Sequence, residues 1–477
     1  MNTHTGLDPL PTVNDRSRTE SLCPVCLKRL PASRISSGEE ILLVKTCPQH
    51  GEFRTPVWRG KPSFGQWQRP KIPVRPPTLF ADIENGCPFD CGLCADHRQR
   101  SCTVIIEVTQ RCDLACPVCY AAVPCEKPDP TLDAVGKLFS RAKEGAPGCN
   151  IQLSGGEPTV RDDLPAIVAL GREQGFDFIQ VNTNGLRLGR DPAFVKALRE
   201  AGLASVFLQF DGTEEEIHRR MRGRSLAQAK LAAIEVCADQ GIGVVLVPTL
   251  VPGVNTHNIG AILQTALDWI PAVRGVHFQP ISYFGRYPAM PDAVSRITLP
   301  EVLQAIERQS GGLFQTAQFG PPGCENALCS FHGQFLQLPD GKVMAMKTGS
   351  PDACCSTPIK ADIGAARAIA SVARQWTGRT YIPEFSPLPA GGCNCAAGRP
   401  ERGDEALKTP MSLDGFIRRA RTHTFSISAM AFQDAWTVAL DRVRDCCIHM
   451  LSPDGRLIPF CLYNLTAADG SKLYRRT

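Results

Sequence analysis

The chain has 477 residues, a formal net charge of +5, 43% hydrophobic and 21% charged residues, and is long enough for two or three domains or for one barrel with appendages. These figures exclude a fibre or a disordered chain, and the scatter of Lys and Arg without a basic run argues against nucleic acid as a partner. The outlying figure is the cysteine count, 22.

No stretch of about 18 uncharged apolar residues occurs, and the start MNTHTGLDPLPTVNDRSRTE lacks a basic segment followed by an apolar one, so a cytoplasmic location is expected. In that reducing compartment most thiols would serve metal rather than disulfides. Residues 1–80 read as a cysteine-bearing module with its connector. CPVC at 23–26 and TCPQHGEF at 46–53 supply Cys23, Cys26 and Cys47, with His50 as the fourth candidate ligand. Two knuckles about twenty residues apart have the spacing of a zinc ribbon or rubredoxin-like site. Zinc and mononuclear iron both fit, the histidine tilts toward zinc, and a pair of buried thiols is the plainer alternative. KPSFGQWQRPKIPVRPPT (61–78) carries five prolines and reads as an extended connector. Residues 81–102 follow as an accessory segment, GCPFDCGLCADHRQRSC, whose Cys87, Cys91, Cys94 and Cys102 could saturate one iron–sulfur cluster.

From 103 to 300, short β-rich runs alternate with amphipathic helical stretches. The strand candidates are TVIIEVT (103–109), NIQLSG (150–155), DFIQVNTN (177–184), SVFLQFD (205–211), GVVLVPTL (243–250) and GVHFQP (275–280). DPAFVKALREAG and SLAQAKLAAIEVCADQG lie between them as helices, the second ending at Gly241. Such alternation implies parallel βαβ units, hence an α/β fold built on a partial (β/α)6 barrel with its chemistry at the carboxyl ends of the strands.

Behind the first of these strands, TQRCDLACPVCYAA places Cys112, Cys116 and Cys119 three and then two residues apart. Tetrahedral zinc wants four ligands and a four-iron cluster wants one thiolate per iron, so three thiolates leave a position that a small molecule can fill. A zinc or redox loop beside an ordinary core is the competing reading. LSGGEP (153–158) ends the second strand, and Gly155 and Gly156 let backbone approach a ligand, with Glu157 beside them. Asn182, Asn184 and Asp211 end the third and fourth strands, suiting ribose or carboxylate contacts, although turn formation weighs equally for each. For His218 and His277 a satisfied structural role is preferred over substrate contact. Arg219, Arg220 and Arg222 read better as a solvated helix face than as an anion site, and Cys125 is set aside as a ligand.

Residues 301–477 mix helix and hairpin, an α+β region. LPEVLQAIERQ is helical, while FLQLPDGKVMAMK and SPDGRLIPFCLYN turn at Asp340-Gly341 and Asp454-Gly455. A third cluster could draw on Cys324, Cys329, Cys461 and one of Cys446 and Cys447, with Cys447 preferred. Cys354, Cys355, Cys393 and Cys395 are spare candidates.

The Cys-x3-Cys-x2-Cys loop followed by Tyr120, joined to GGEP at the next strand end, resembles the radical S-adenosylmethionine superfamily. That resemblance implies a 4Fe–4S cluster on Cys112, Cys116 and Cys119. S-adenosylmethionine would sit on the unique iron, contacted by Gly155, Gly156 and Glu157, and an electron donor such as flavodoxin or ferredoxin would drive formation of a hydrogen-abstracting 5′-deoxyadenosyl radical. The knuckle pair, the four-cysteine segment, the loop LVPTLVPGVN and the tail FQDAWTVALDRVRDCCIHMLSPDGRLIPFCLYNLT resemble the tetraether lipid synthase group and its dihydropterin methyltransferase relatives, from about residue 20 to the end. His50 departs from a four-thiolate site. The group implies attack on an unactivated C–H bond of a long lipid chain, which predicts an apolar groove and peripheral docking at the inner membrane face. Methyl or one-carbon transfer to a pterin-like small molecule is the alternative, with pocket polarity the discriminator. Radical modification of a peptide is a further enzymatic alternative. A non-enzymatic electron-transfer protein would instead saturate every site with four ligands.

Overall fold

A computed structural model describes residues 18–121, 128–346, 358–378 and 412–475. Cys125, Cys354, Cys355, Cys393 and Cys395 lie outside the described residues. At the amino end, β1 (Arg18–Leu22), β2 (Arg29–Ser37), β3 (Glu40–Cys47) and β4 (Gly51–Arg59) form an antiparallel sheet in that order. Its two outer hairpins carry the knuckles, Cys23 and Cys26 in the turn after β1, and Cys47 at the end of β3 with His50 in the turn that follows. The proline-rich connector contributes a short β5 (Lys71–Ile72).

The barrel strands are β6 (Thr103–Thr109), β7 (Asn150–Gly155), β8 (Ile179–Thr183), β9 (Ser205–Gln209), β10 (Gly243–Val247) and β12 (Val273–Pro280), with β11 (Thr249–Leu250) pairing onto β12. Every neighbouring pair from β6 to β12 is parallel. The connecting helices are α1 (Leu132–Gly145), α2 (Leu164–Glu173), α3 (Pro192–Glu200), α4 (Glu215–Arg222), α5 (Ala227–Asp239) and α6 (Ile259–Asp268). The strand period of two explains the packing. Val104, Ile106 and Val108 of β6, Ile151 and Leu153 of β7 and Val206 and Leu208 of β9 point outward and join Phe139, Ile167, Val195 and Ile234 of the helices in one apolar cluster. Each such fully buried side chain contributes about 1.5–3 kcal/mol.

Many of the alternate, inward-facing residues are polar, namely Thr103 and Glu107, Gln152 and Ser154, Gln180 and Asn182, Ser205 and Gln209, His277 and Gln279, while Ile105, Phe207, Val245 and Val247 on the same face are apolar. At the amino ends of the strands the interior is plugged by Trp376, which closes α8 (Ala361–Trp376) and packs with Phe207, Val245 and Val247.

After α7 (Leu299–Gln309), opened by a Thr298–Glu301 capping box, come β13 (Ser330–Gln337), β14 (Val343–Ala345), β15 (Ile359–Lys360), β16 (Thr424–Met430), β17 (Ile448–Leu451) and β18 (Leu457–Pro459). β13 with β14 and β17 with β18 are antiparallel hairpins turning at the expected places, where Gly341 and Gly455 both take φ 81. All of these except β15, which pairs with β5 in a separate two-stranded sheet, join the barrel sheet directly. β16 adds in parallel beside β12 and β17 in parallel beside β6, giving the order β14-β13-β16-β12-β10-β9-β8-β7-β6-β17-β18.

Buried charges lock the same tail to its surroundings. Asp434, with no exposed side-chain surface, pairs with Arg296 at 2.8 and 3.2 Å and accepts from the backbone of Tyr283 and Trp436. Lys45 of β3 donates to Ser21 Oγ at 2.9 Å and to the Ala435 carbonyl at 2.8 Å, and its burial brings its pKa down to about 7. Arg34 of β2 grips Asp441 at 2.7 and 2.8 Å. Replacing Asp434 by Ala strands the Arg296 guanidinium in the interior, and a loss of about 3–5 kcal/mol is expected, read as a lower midpoint in chemical unfolding. An unchanged midpoint would show that Arg296 finds another partner or solvent.

Candidate active site and metal centres

The loop after β6 carries Cys112 at the surface, Cys116 buried and Cys119 half-buried. Three contacts fix it. Cys119 exchanges backbone hydrogen bonds of 2.9 Å each way with Arg286, beyond β12. Arg222, at the end of α4, donates to the Val118 carbonyl at 2.8 Å and lies against the Cys116 sulfur, where its charge opposes the upward push of burial on that thiol. Asn184 donates to Asp113 at 2.6 Å.

The glycine turn of β7 packs on the residues leading into this loop. The Gly156 N–H donates to the Thr109 carbonyl at 2.9 Å and the Glu157 N–H to the Arg111 carbonyl at 2.8 Å. A Cβ on Gly155 would lie 2.0 Å from the Thr109 oxygen and one on Gly156 2.2 Å from the Arg111 oxygen, so no other residue fits either position without displacing backbone. Gly155 also takes φ 135, where side chains are disfavoured.

Several residues nominated for ligand contact are engaged by the protein itself. Glu157, 2% exposed, accepts from the Thr159 N–H and hydroxyl, the Thr183 hydroxyl and the Asn184 N–H at 2.6–3.0 Å. Burial raises its pKa in spite of these donors. Asp211 is fully buried in a two-pronged pair with Arg222 at 2.6 and 2.8 Å and accepts from the Thr249 N–H. Burial pushes the Asp211 carboxyl up, but Arg222 outweighs it and holds the group below its usual range. Glu157, Asn184 and Asp211 therefore hold the loops in place, whereas Asn182 faces the barrel interior with its amide oxygen buried and unpartnered.

Arg222 corrects the reading of α4 as a solvated face. Arg219 and Arg220 are exposed, as expected, but Arg222 is turned inward by one helical step. His218 is buried with Nε2 on the Gly212 carbonyl at 2.9 Å, and His277 shares a 2.8 Å hydrogen bond with Ser428. Sequence reasoning passed over Glu107, whose signal was a lone acid inside the run TVIIEVT. It also passed over Tyr120 as a contact, whose hydroxyl shares a 2.9 Å hydrogen bond with Ser154.

Three soft thiolates on one rigid loop, beside a guanidinium that favours negative sulfur, fit an iron–sulfur cluster. The two close-packed groups of metal-binding atoms among the described residues lie elsewhere. In the first, Cys23, Cys26, Cys47 and His50 offer atoms within 4.8 Å of one another, with His50 Nδ1 3.5 and 3.4 Å from the sulfurs of Cys23 and Cys47. Burial raises the Cys47 thiol, but the Gln49 N–H and the His50 ring and N–H together bring it down to about 6, so it is readily a thiolate. Four ligands of mixed N and S type at tetrahedral spacing suit zinc.

The second group is Cys102, Cys324 and Cys447, again within 4.8 Å. Here the structure differs from the expected grouping. Cys102 stands apart from Cys87, Cys91 and Cys94 because its N–H pairs with the Cys447 carbonyl at 2.8 Å where β17 lies beside β6. Cys87, Cys91 and Cys94 line a cavity of their own with Asp96, His97 and Arg444. Cys329 and Cys461, expected with Cys324 and Cys447, are outside the close group, accepting respectively from Arg442 at 3.3 Å and from the Gln433 N–H at 3.2 Å.

Comparison with known proteins agrees with this geometry. The radical SAM superfamily model matches residues 106–266, and the HMPTM N-terminal zinc ribbon domain matches residues 16–59. The chain is 32% identical over 477 aligned positions to a 7,8-dihydro-6-hydroxymethylpterin dimethyltransferase of Methanocaldococcus jannaschii, covering 94% of this chain and 93% of that one. It is 31% identical over 207 positions to an Fe-coproporphyrin III synthase of Methanosarcina barkeri, covering 43% and 49%. Among solved structures, methylornithine synthase aligns with a TM-score of 0.35 at 16% identity over 45% of this chain and 63% of that one.

Substituting Cys26 by Ser should remove zinc from the purified protein while leaving its iron in place, as read by elemental mass spectrometry. Loss of iron with zinc retained would assign the knuckles to iron instead.

Proposed function

The chain belongs to the radical S-adenosylmethionine superfamily, and from that premise we propose that it transfers methyl or other one-carbon units to a reduced, pterin-like heterocycle. The observation that carries this reading is the polarity of the barrel's inner wall. Glu107, Gln152, Asn182, Gln209 and Gln279 sit on five different strands and are each only partly buried, between strand neighbours that are buried. Glu107 is paired with Arg475 and Gln152 with Gln180 and Asn182, but the buried amide oxygens of Asn182 and Gln209 have no partner, and an alkyl chain would leave them so, whereas a ring rich in N–H and amino groups satisfies them. The name of the Methanocaldococcus relative supports the same substrate class.

When bound at Cys112, Cys116 and Cys119, a 4Fe–4S cluster with S-adenosylmethionine supplies one-electron cleavage of the sulfonium and hydrogen abstraction at carbon. The chain's own residues set the stage for that chemistry. Arg222 steadies Cys116, and Glu157 and Asn184 fix the glycine turn against the loop. Trp376 at the end of α8 packs on Phe207, Val245 and Val247 in the lower barrel. An external low-potential donor such as ferredoxin or flavodoxin is required.

Coupling of lipid chains is the reading less supported. The described residues offer an apolar floor at Phe207, Val245, Val247 and Trp376 but a largely polar wall above it.

Anaerobically reconstituted protein, given 7,8-dihydro-6-hydroxymethylpterin, dithionite as the source of two electrons and S-adenosylmethionine, one molecule of which yields 5′-deoxyadenosine and methionine while a second gives its methyl and leaves as S-adenosylhomocysteine, should yield methylated pterin by mass spectrometry. Cys116→Ala should abolish both the methylated pterin and the 5′-deoxyadenosine. A fully iron-loaded sample that methylates no pterin, or that instead consumes a lipid extract, overturns the assignment.

A further inference from the structure

Glu107 lies on the inner face of β6, directly opposite Ser154 of β7. One carboxylate oxygen accepts from Arg475 Nη2 at 2.6 Å, and the side chain remains 14% exposed inside a strand whose other central residues are buried. Arg475 comes from the extreme carboxyl end of the described chain and is 4% exposed. It donates to Asn464 Oδ1 at 2.8 Å and lies 5.1 Å from the Tyr463 ring. A single hydrogen bond separates this pair from the radical loop, since Ser154 meets the hydroxyl of Tyr120, the residue after Cys119.

A cation brought from residue 475 to a barrel-strand acid more than 360 positions earlier is costly to assemble as scaffold alone. An apolar pair of like shape would pack that position at least as well. What an acid there does better is accept from donors. We propose that Glu107, oriented by Arg475, is the specificity anchor for the 2-amino and N3–H donors of a 2-amino-4-oxopyrimidine ring bound inside the barrel. This rests on the pterin-like reading above and names the residue that would enforce it.

The chemistry is that of a paired acceptor facing a paired donor. A carboxylate accepts two parallel N–H bonds from such an edge, the geometry that makes charge-assisted pairs strong and selective. Arg475 and the Tyr463 hydroxyl, which also hydrogen-bonds Glu107, aim the carboxylate and use two of its roughly four acceptor sites, leaving the others for ligand. Two strands along, roughly 10 Å across the sheet and so about the length of a fused bicyclic ring, the buried Asn182 oxygen has no partner and offers a further acceptor. A site built this way rejects an analogue that presents a carbonyl where the amino group should be, because the carboxylate then faces oxygen.

The test is binding of 6-hydroxymethylpterin and of its lumazine counterpart, which carries oxygen in place of the 2-amino group, to the iron-loaded full chain with S-adenosylmethionine. The wild type should favour the pterin by about ten- to a hundredfold, the worth of one or two charged hydrogen bonds. Glu107→Gln should reduce that preference to within about threefold, and Glu107→Asp should keep it with weaker overall affinity. Iron content reports that each variant is folded. If the wild type binds neither ring, the pterin-like reading itself fails. If the wild type prefers pterin and Glu107→Gln prefers it equally, only the anchor role fails. Should Glu107→Gln not fold, Glu107→Asp decides, and unchanged pterin affinity there overturns the proposal.

Discussion

An open barrel has two edge strands whose backbone N–H and C=O groups need partners, and in this chain the carboxyl-terminal segment supplies them. β17 pairs with β6 and β16 with β12, each in parallel, so eight parallel strands run from β17 to β16. The chemistry of the tail follows from this pairing. Laying β17 along β6 sets Cys447 against Cys102, and the chain emerging from β18 is then positioned to bring Tyr463 and Arg475 up to Glu107. On the other edge, β16 brings Ser428 to His277. One solution to a sheet-edge problem thus also builds an accessory thiol site and part of the inner wall.

Around the cysteine loop the recurring device is a buried acid with all its partners in the protein. From their strand-end positions Glu157 and Asp211 are expected to contact S-adenosylmethionine, yet each is saturated within the protein, the first by four donors and the second by a guanidinium. A carboxylate left free there would compete for iron and repel thiolates. Saturation turns both into struts joining the carboxyl ends of β7, β8 and β9, so the loop that needs flexible-looking spacing in sequence is rigid in space. Arg222 couples the two tasks, neutralising Asp211 and facing Cys116.

Legibility in the sequence followed the range of the forces involved. The strands 103–109 and 150–155 and the helix 299–309 match their expected bounds because a local period, two or 3.6, marks one buried face. The glycine turn and the three-thiol loop were legible because covalent spacing alone places their atoms. The four strands of the amino-terminal sheet, of five to nine residues, were not read, since their alternation is blurred by charged residues on both faces. Grouping Cys102 with its neighbours in sequence failed for a different reason: strand pairing with a segment some 345 residues away decides where its sulfur goes, and no local pattern encodes that. Arg222 is a milder case. Its helix is charged all round, so only tertiary packing distinguishes the one arginine that turns inward from the two that stay in solvent.

Substrate class turns on a comparable distinction between local and assembled properties. No single strand looks polar: TVIIEVT, NIQLSG and SVFLQ each read as core β-structure. Parallel pairing sums one polar residue from each, and the sum is a wall of amides and one carboxylate beside the cluster loop. The resemblance to lipid-coupling enzymes draws on cysteine spacing and tail motifs, which report how electrons and iron are held. In the proposed reading, the wall is what bears on the molecule held against them. Where these two sources point to different substrates, the proposed assignment gives more weight to the groups that would have to be desolvated, because burying the unpartnered amide oxygens of Asn182 and Gln209 against an alkyl chain opposes binding there.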